Sequence, residues 1–167
     1  MTAEIYISQG EDAVGASSEM VISTILGSCI SLCLWDPERK VGGMNHLLLP
    51  EMSDGVEGVH SAGAVAMEQL INRLVKIGAE RTLLRAKLFG GSSMLSGLTD
   101  IGARNVAFGQ AYLTAEKIPC DKESVGGNRA RRLKFWPATG TAKMRFVDEA
   151  PPLQPALALA TNDVELF

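Results

Sequence analysis

Apolar and β-branched residues come in short blocks along most of this chain, separated by glycine, proline, serine and aspartate. Ala3 to Ser8 and Met20 to Ile25 are such blocks, and each reads as a strand. Ile30 to Trp35 and Val41 to Leu49 follow, joined by Asp36-Pro37-Glu38-Arg39. Proline presets the backbone dihedral of a turn, so these two segments are expected to form a β-hairpin. From Ser61 the period changes. Met67, Leu70, Ile71, Leu74 and Val75 recur at helical spacing, and Gly78 supplies the stop. Leu83 to Phe89 returns to strand and ends at Gly90-Gly91. Gly102 to Lys117 carries a second helical pattern, weakened by Gly109. Ile118 to Ser124, Arg132 to Trp136 and Ala142 to Val147 read as closing strands, with turns at Gly126-Gly127 and Thr139-Gly140.

Strands with two helices set among them predict an α+β fold, a layered α/β sandwich with a mixed sheet. Strict βαβ alternation is missing, which argues against a doubly wound nucleotide fold. The segment "FGGSSML", Phe89 to Leu95, lacks the lysine a phosphate loop places after its last glycine, and reads as a tight turn. One domain is expected over residues 1–150. The segment 151–167, with Pro151, Pro152 and Pro155, is expected to be a flexible tail.

Composition narrows the class. Of 167 residues, 46% are apolar and 21% charged, the make-up of a globular domain. The apolar run Val21 to Trp35 is broken by Ser, Gly and Thr and falls short of the roughly 20 residues a spanning helix needs. No membrane insertion is expected, and the start "MTAEIYISQGEDA" lacks a secretory pattern, so a cytoplasmic location is expected. A net charge of −3 speaks against a nucleic-acid partner. Cys29, Cys33 and Cys120 lack disulfide or zinc spacing, so free thiols, no metal and no cofactor are expected.

The chemistry concentrates in "STILGSCISLCLWDPERKVGGMNHLLLP", Ser23 to Pro50. With a loop of Asp36 to Arg39, Trp35 pairs with Lys40 and Cys29 falls directly opposite His46. An imidazole beside a thiol can take its proton, giving an ion pair that attacks carbonyl carbon. Gly27 and Ser28 would let a substrate amide approach the backbone, whose N–H groups stabilise an oxyanion. The competing reading is plain packing, since free cysteine often behaves as a small buried hydrophobe. Cys33 and Cys120, within apolar strands, look like that. His60, before a helix, reads as a cap or surface residue.

The elements "LGSC", "WD" and "GGMNHLLLP", with "AKLFGGSSML", "IGARNV" and "GGNRARRLKFWPATG" in the same order, resemble the CheD family of chemoreceptor glutamine deamidases over about Val21 to Val147. The resemblance implies that Cys29 is the catalytic cysteine and His46 the catalytic histidine. It implies a third residue, a threonine shortly before the cysteine, for which Thr24 is the choice and Ser23 the alternative. It implies deamidation of glutamines on methyl-accepting chemotaxis receptors through a thioester, and in some members a CheC-type phosphatase as partner. A docking module for receptors or that phosphatase is the alternative. A broader cysteine hydrolase acting on receptor methyl esters is a third reading. Arg129, Arg131 and Arg132 form a basic cluster near a predicted edge strand, read as a solvated edge or as a receptor-docking surface.

Overall fold

Strand-forming blocks of this chain assemble into two five-stranded sheets rather than one. The computed structural model describes residues 2–50, 55–93, 100–148 and 164–167, with residues 55–61 described by their backbone alone. In chain order the elements are β1 (Ala3–Tyr6), β2 (Asp12–Gly15), β3 (Met20–Leu26), β4 (Ile30–Asp36) and β5 (Val41–Asn45). Then come α1 (Gly55–Lys76), β6 (Arg85–Gly90), α2 (Ile101–Ala115), β7 (Cys120–Val125), β8 (Ala130–Trp136), β9 (Thr141–Val147) and β10 (Glu165–Leu166). One sheet runs β1-β3-β8-β9-β10 and the other β2-β5-β4-β6-β7. Each is mixed, with one parallel pair, β1 with β3 and β6 with β7.

Burial explains the layering. Every residue of β4 is buried, which a strand achieves only with both faces covered. Ile30, Leu32 and Leu34 pack with Met67, Leu70, Ile71 and Leu74 of α1 and with Phe108, Tyr112 and Leu113 of α2. Cys33 and Trp35 point the other way, into a core with Ile22, Leu26, Leu133 and Phe135 of the facing sheet. The order is therefore helices, sheet, sheet. Val75, placed on the apolar stripe of α1 by its spacing, is exposed.

Sequence periodicity located most of these elements, and α1 begins six residues before the expected Ser61. Two strands were not expected. β2 is short and polar and carries no two-residue alternation. β10 lies in the segment expected to be flexible, yet it pairs with β9. Beyond it, Phe167 exchanges backbone hydrogen bonds with Ala142, its ring meets that of Phe89, and its carbonyl accepts from Lys87 Nζ at 2.6 Å. The rest of that segment, to 163, lies outside the described residues. Cys120 also differs from expectation. It is exposed, at the start of a strand whose first four residues all face solvent.

Candidate active site

The β4–β5 hairpin turns one residue later than its sequence suggested. Asp36 stays in the strand and pairs with Val41, and Trp35 pairs with Gly42. Its carboxylate accepts from the amides of Glu38 (2.9 Å) and Arg39 (3.1 Å), and its carbonyl from Lys40 N (2.9 Å), so the loop is Pro37–Lys40. The register moves by two. Such a slip preserves the face on which each side chain stands. Cys29 and His46 therefore still share a face, but the Ile30–Leu47 bridge makes them diagonal neighbours rather than directly opposed.

The connection carrying Cys29 is an arch between sheets. β3 belongs to one sheet and β4 to the other, so Gly27, Ser28 and Cys29 take the chain across one end of the sandwich. All three carbonyls of the arch are engaged. Gly27 O accepts from Ser92 N (3.0 Å), Ser28 O from Asn105 Nδ2 (2.8 Å) and Cys29 O from Gly91 N (2.8 Å). Among the described residues, none of the three arch N–H groups has a backbone acceptor outside the strands. Gly90, at φ +107°, makes the grip possible: a Cβ there would lie 2.2 Å from Cys29 O.

His46 is held from three sides. Its amide donates to Glu11 O (3.0 Å) and its carbonyl accepts from Gly10 N (2.9 Å). Its Nδ1 lies 2.7 Å from Thr24 Oγ1, a contact between the two sheets. Thr24 Oγ1 also donates to Ile7 O at 2.7 Å. A hydroxyl has one proton, so with that proton on Ile7 O it must accept from Nδ1–H. Nε2 is then the unprotonated nitrogen of the ring. Ser23, one residue earlier on β3, points to the opposite face of its sheet.

Electrostatics change one expectation. Cys29 is 8% and His46 6% exposed. Burial pushes the thiol up to about 11 and holds the imidazole down to about 4, Glu11 pulling the latter slightly upward. Burial disfavours the charged form of each group, so it favours a neutral thiol beside a neutral imidazole over the ion pair expected from sequence. Unfolded chain takes up the histidine proton near pH 6.5, while folded His46 stays neutral to about pH 4. Stability is therefore full above pH 6.5 and falls between there and pH 4. Urea unfolding at pH 5 should give about 2 kcal/mol less than at pH 7.5 from this group, and His46→Gln should remove that part of the slope.

The basic cluster is dispersed. β8 is an interior strand between β3 and β9, not an edge. Arg131 is 2% exposed and points between the sheets, so it does not belong to a solvated edge. Half-buried Arg132 faces the other side of the same strand, and exposed Arg129 pairs with Asp148 at 3.1 Å. Among the described residues no three His, Cys, Asp or Glu side chains converge on a metal-sized site, and no helix is long and apolar enough to cross a membrane.

A family model described as CheD chemotactic sensory transduction matches residues 48–146. A Caulobacter vibrioides protein named probable chemoreceptor glutamine deamidase CheD is 47% identical, across 98% of this chain and 93% of its own. The chain belongs to the CheD family. An Acidiphilium cryptum relative with the same name is also 47% identical, over 96% of this chain and 85% of its own. Among solved structures, a Neisseria meningitidis protein of family-model DUF152 is 10% identical with a TM-score of 0.48, covering 76% of this chain and 63% of that one.

Two further residues of this CheD-family site went unassigned from sequence, although both lie in quoted motifs. Asn105 of "IGARNV" is fully buried on α2. It donates to Ser28 O and accepts from Leu49 N (3.2 Å), tying the arch to the segment after His46. Asn105→Ala should cost about 2–4 kcal/mol, since both backbone groups lose their partner. Denaturant midpoints check it, and a cost under half a kcal/mol would contradict the clamp. Ser31, next to Cys29 on the same face, has a buried hydroxyl with no partner. Asn105 has no spacing signature, because it acts through contacts distant in the chain.

Proposed function

We propose that this protein deamidates glutamine side chains of methyl-accepting chemotaxis receptors, with Cys29 as nucleophile, His46 as proton carrier and Thr24 as the residue orienting His46. The observation that carries the reading is the Thr24–His46 contact on the face and at the end of the sandwich where Cys29 stands. It leaves Nε2 of a fixed, neutral imidazole as the base, on the same side as the thiol. The names borne by the relatives supply the substrate class.

Because the resting pair is neutral, proton transfer accompanies attack. Cys29 Sγ bonds to the carboxamide carbon while its proton passes to His46 Nε2, and negative charge collects on the carboxamide oxygen. The N–H groups of Gly27, Ser28 and Cys29 are the available donors for that oxygen, their carbonyls being turned away by Ser92, Asn105 and Gly91. His46 returns the proton to the leaving nitrogen, ammonia departs and a thioester remains. Water, deprotonated by His46, then attacks the thioester, regenerating the thiol and leaving a glutamate.

The reading places the protein in the cytoplasm, at receptor arrays. It includes a CheC-type phosphatase as a candidate partner, which co-purification with such a phosphatase would test. The central test is mass spectrometry of a receptor cytoplasmic fragment incubated with the purified protein. Conversion of particular glutamines to glutamates, with matching ammonia release, is expected. Receptor binding without ammonia release would leave a docking module as the better account.

A further inference from the structure

The dispersal of the basic cluster leaves one guanidinium in an unusual position. Arg131, cross-strand neighbour of Leu26 at the end of β3, lies at the same end of the sandwich as the arch. Its Nε donates to Ser124 Oγ (3.1 Å) and its Nη1 to Ser92 Oγ (2.7 Å) and Gly90 O (3.4 Å). All three acceptors are neutral. Among the described residues no carboxylate forms an ion pair with Arg131. A buried charge without a counter-charge is costly, and folds normally supply a partner.

The side chain borders a surface hollow of about 530 Å³, lined also by Ser124, Gly127, Asn128, Arg129 and Phe146. The Phe146 ring stacks 5.0 Å from the Arg131 guanidinium and 5.1 Å from that of Arg129, so both cations are held in place. Glu123 lines the hollow too, but Gln110 Nε2 lies 3.3 Å from its carboxylate, on the α2 side. The Gly90–Ser92 loop links the two places: it binds Arg131 through Gly90 O and Ser92 Oγ and the arch through the Gly91 and Ser92 amides.

We propose that this hollow is a carboxylate subsite: Arg131 at its floor, with Arg129 at its rim shared with Asp148 (3.1 Å), receives an aspartate or glutamate side chain of the substrate protein, beside the glutamine presented to Cys29. A forked guanidinium and a carboxylate match in geometry, and the pair supplies a counter-charge that Arg131 lacks among the described residues. The assignment of the ligand to a substrate protein rests on the deamidase reading.

The test has two arms on the full chain. Thermal unfolding is followed in acetate, inorganic phosphate and chloride at matched ionic strength. Acetate should stabilise the wild type more than it stabilises Arg131→Gln, with Arg129→Gln in between and Arg131→Lys partly restored. In the second arm, receptor fragments with and without the acidic residues flanking the target glutamine are deamidated. The wild type should show a KM about tenfold higher on the neutralised fragment with kcat within about twofold, as loss of a charged hydrogen bond requires. Arg129→Gln should reduce that discrimination, and it serves if Arg131→Gln does not fold. Equal KM values for the two fragments, equal acetate responses in all variants, or a preference for phosphate alone would overturn the proposal. Should the wild type release no ammonia from any fragment, the deamidase reading fails while the acetate arm still decides whether the carboxylate site exists.

Discussion

Cys29→Ala is expected to slow ammonia release from a receptor fragment by at least about a thousandfold while keeping the wild-type urea midpoint to within about 1 kcal/mol. The thiol is the stronger nucleophile of the arch and the one on the face of His46, and its removal takes away one small group near the rim of the core. Receptor binding should persist, because the arch carbonyls and their partners Ser92, Asn105 and Gly91 do not involve the side chain. The other cysteines separate chemistry from packing. Cys33 is fully buried between the sheets, so Cys33→Ala should cost stability by about 1 kcal/mol and spare turnover. Cys120 is exposed, and Cys120→Ala should change neither. Wild-type turnover by Cys29→Ala would remove this thiol from the mechanism.

His46→Ala should lower turnover by about 10²–10⁴-fold, the usual contribution of a placed acid–base group. The pH dependence distinguishes its proposed role. A base held down to about 4 remains competent well below neutrality, so kcat/KM should stay level from pH 7 to about pH 5. An imidazole with its ordinary value would instead lose activity through pH 6.5. With the thiol pushed up to about 11, alkylation of Cys29 should climb continuously above pH 8 without a plateau between pH 5 and 8. A plateau there would mean a resting ion pair and would contradict the neutral one. Thr24→Val removes the hydroxyl at constant shape, leaving Nδ1–H and Ile7 O without their shared partner, and should cost less activity than His46→Ala. Ser23→Ala, altering the opposite face of β3, should cost less again. The reverse order would reassign the third residue.

Much of this molecule was legible in its residues before any contact was known. Apolar, β-branched blocks between turn residues placed the major strands, because strands covered on both faces are apolar throughout, and a three-to-four-residue period placed both helices. Parity did the same for Cys29 and His46. An even shift in hairpin register leaves both on one face, so their shared side survived an error in the loop. Motif order pointed to the CheD family for the same local reason.

Only the tertiary structure decided the rest. That β3 and β4 lie in different sheets, making Gly27–Cys29 an arch, is absent from any local pattern, since a hairpin and a sheet-crossing connection can share a glycine-serine turn. That Thr24 rather than Ser23 meets His46 depends on the segment after β5 in the other sheet, and the Asn105 clamp on a helix far along the chain. Arg131 reads as surface because arginine usually is, and only the paired sheets show that it stands between them without a carboxylate. The neutral thiol and imidazole follow from burial, which is summed over the whole fold rather than written at either residue.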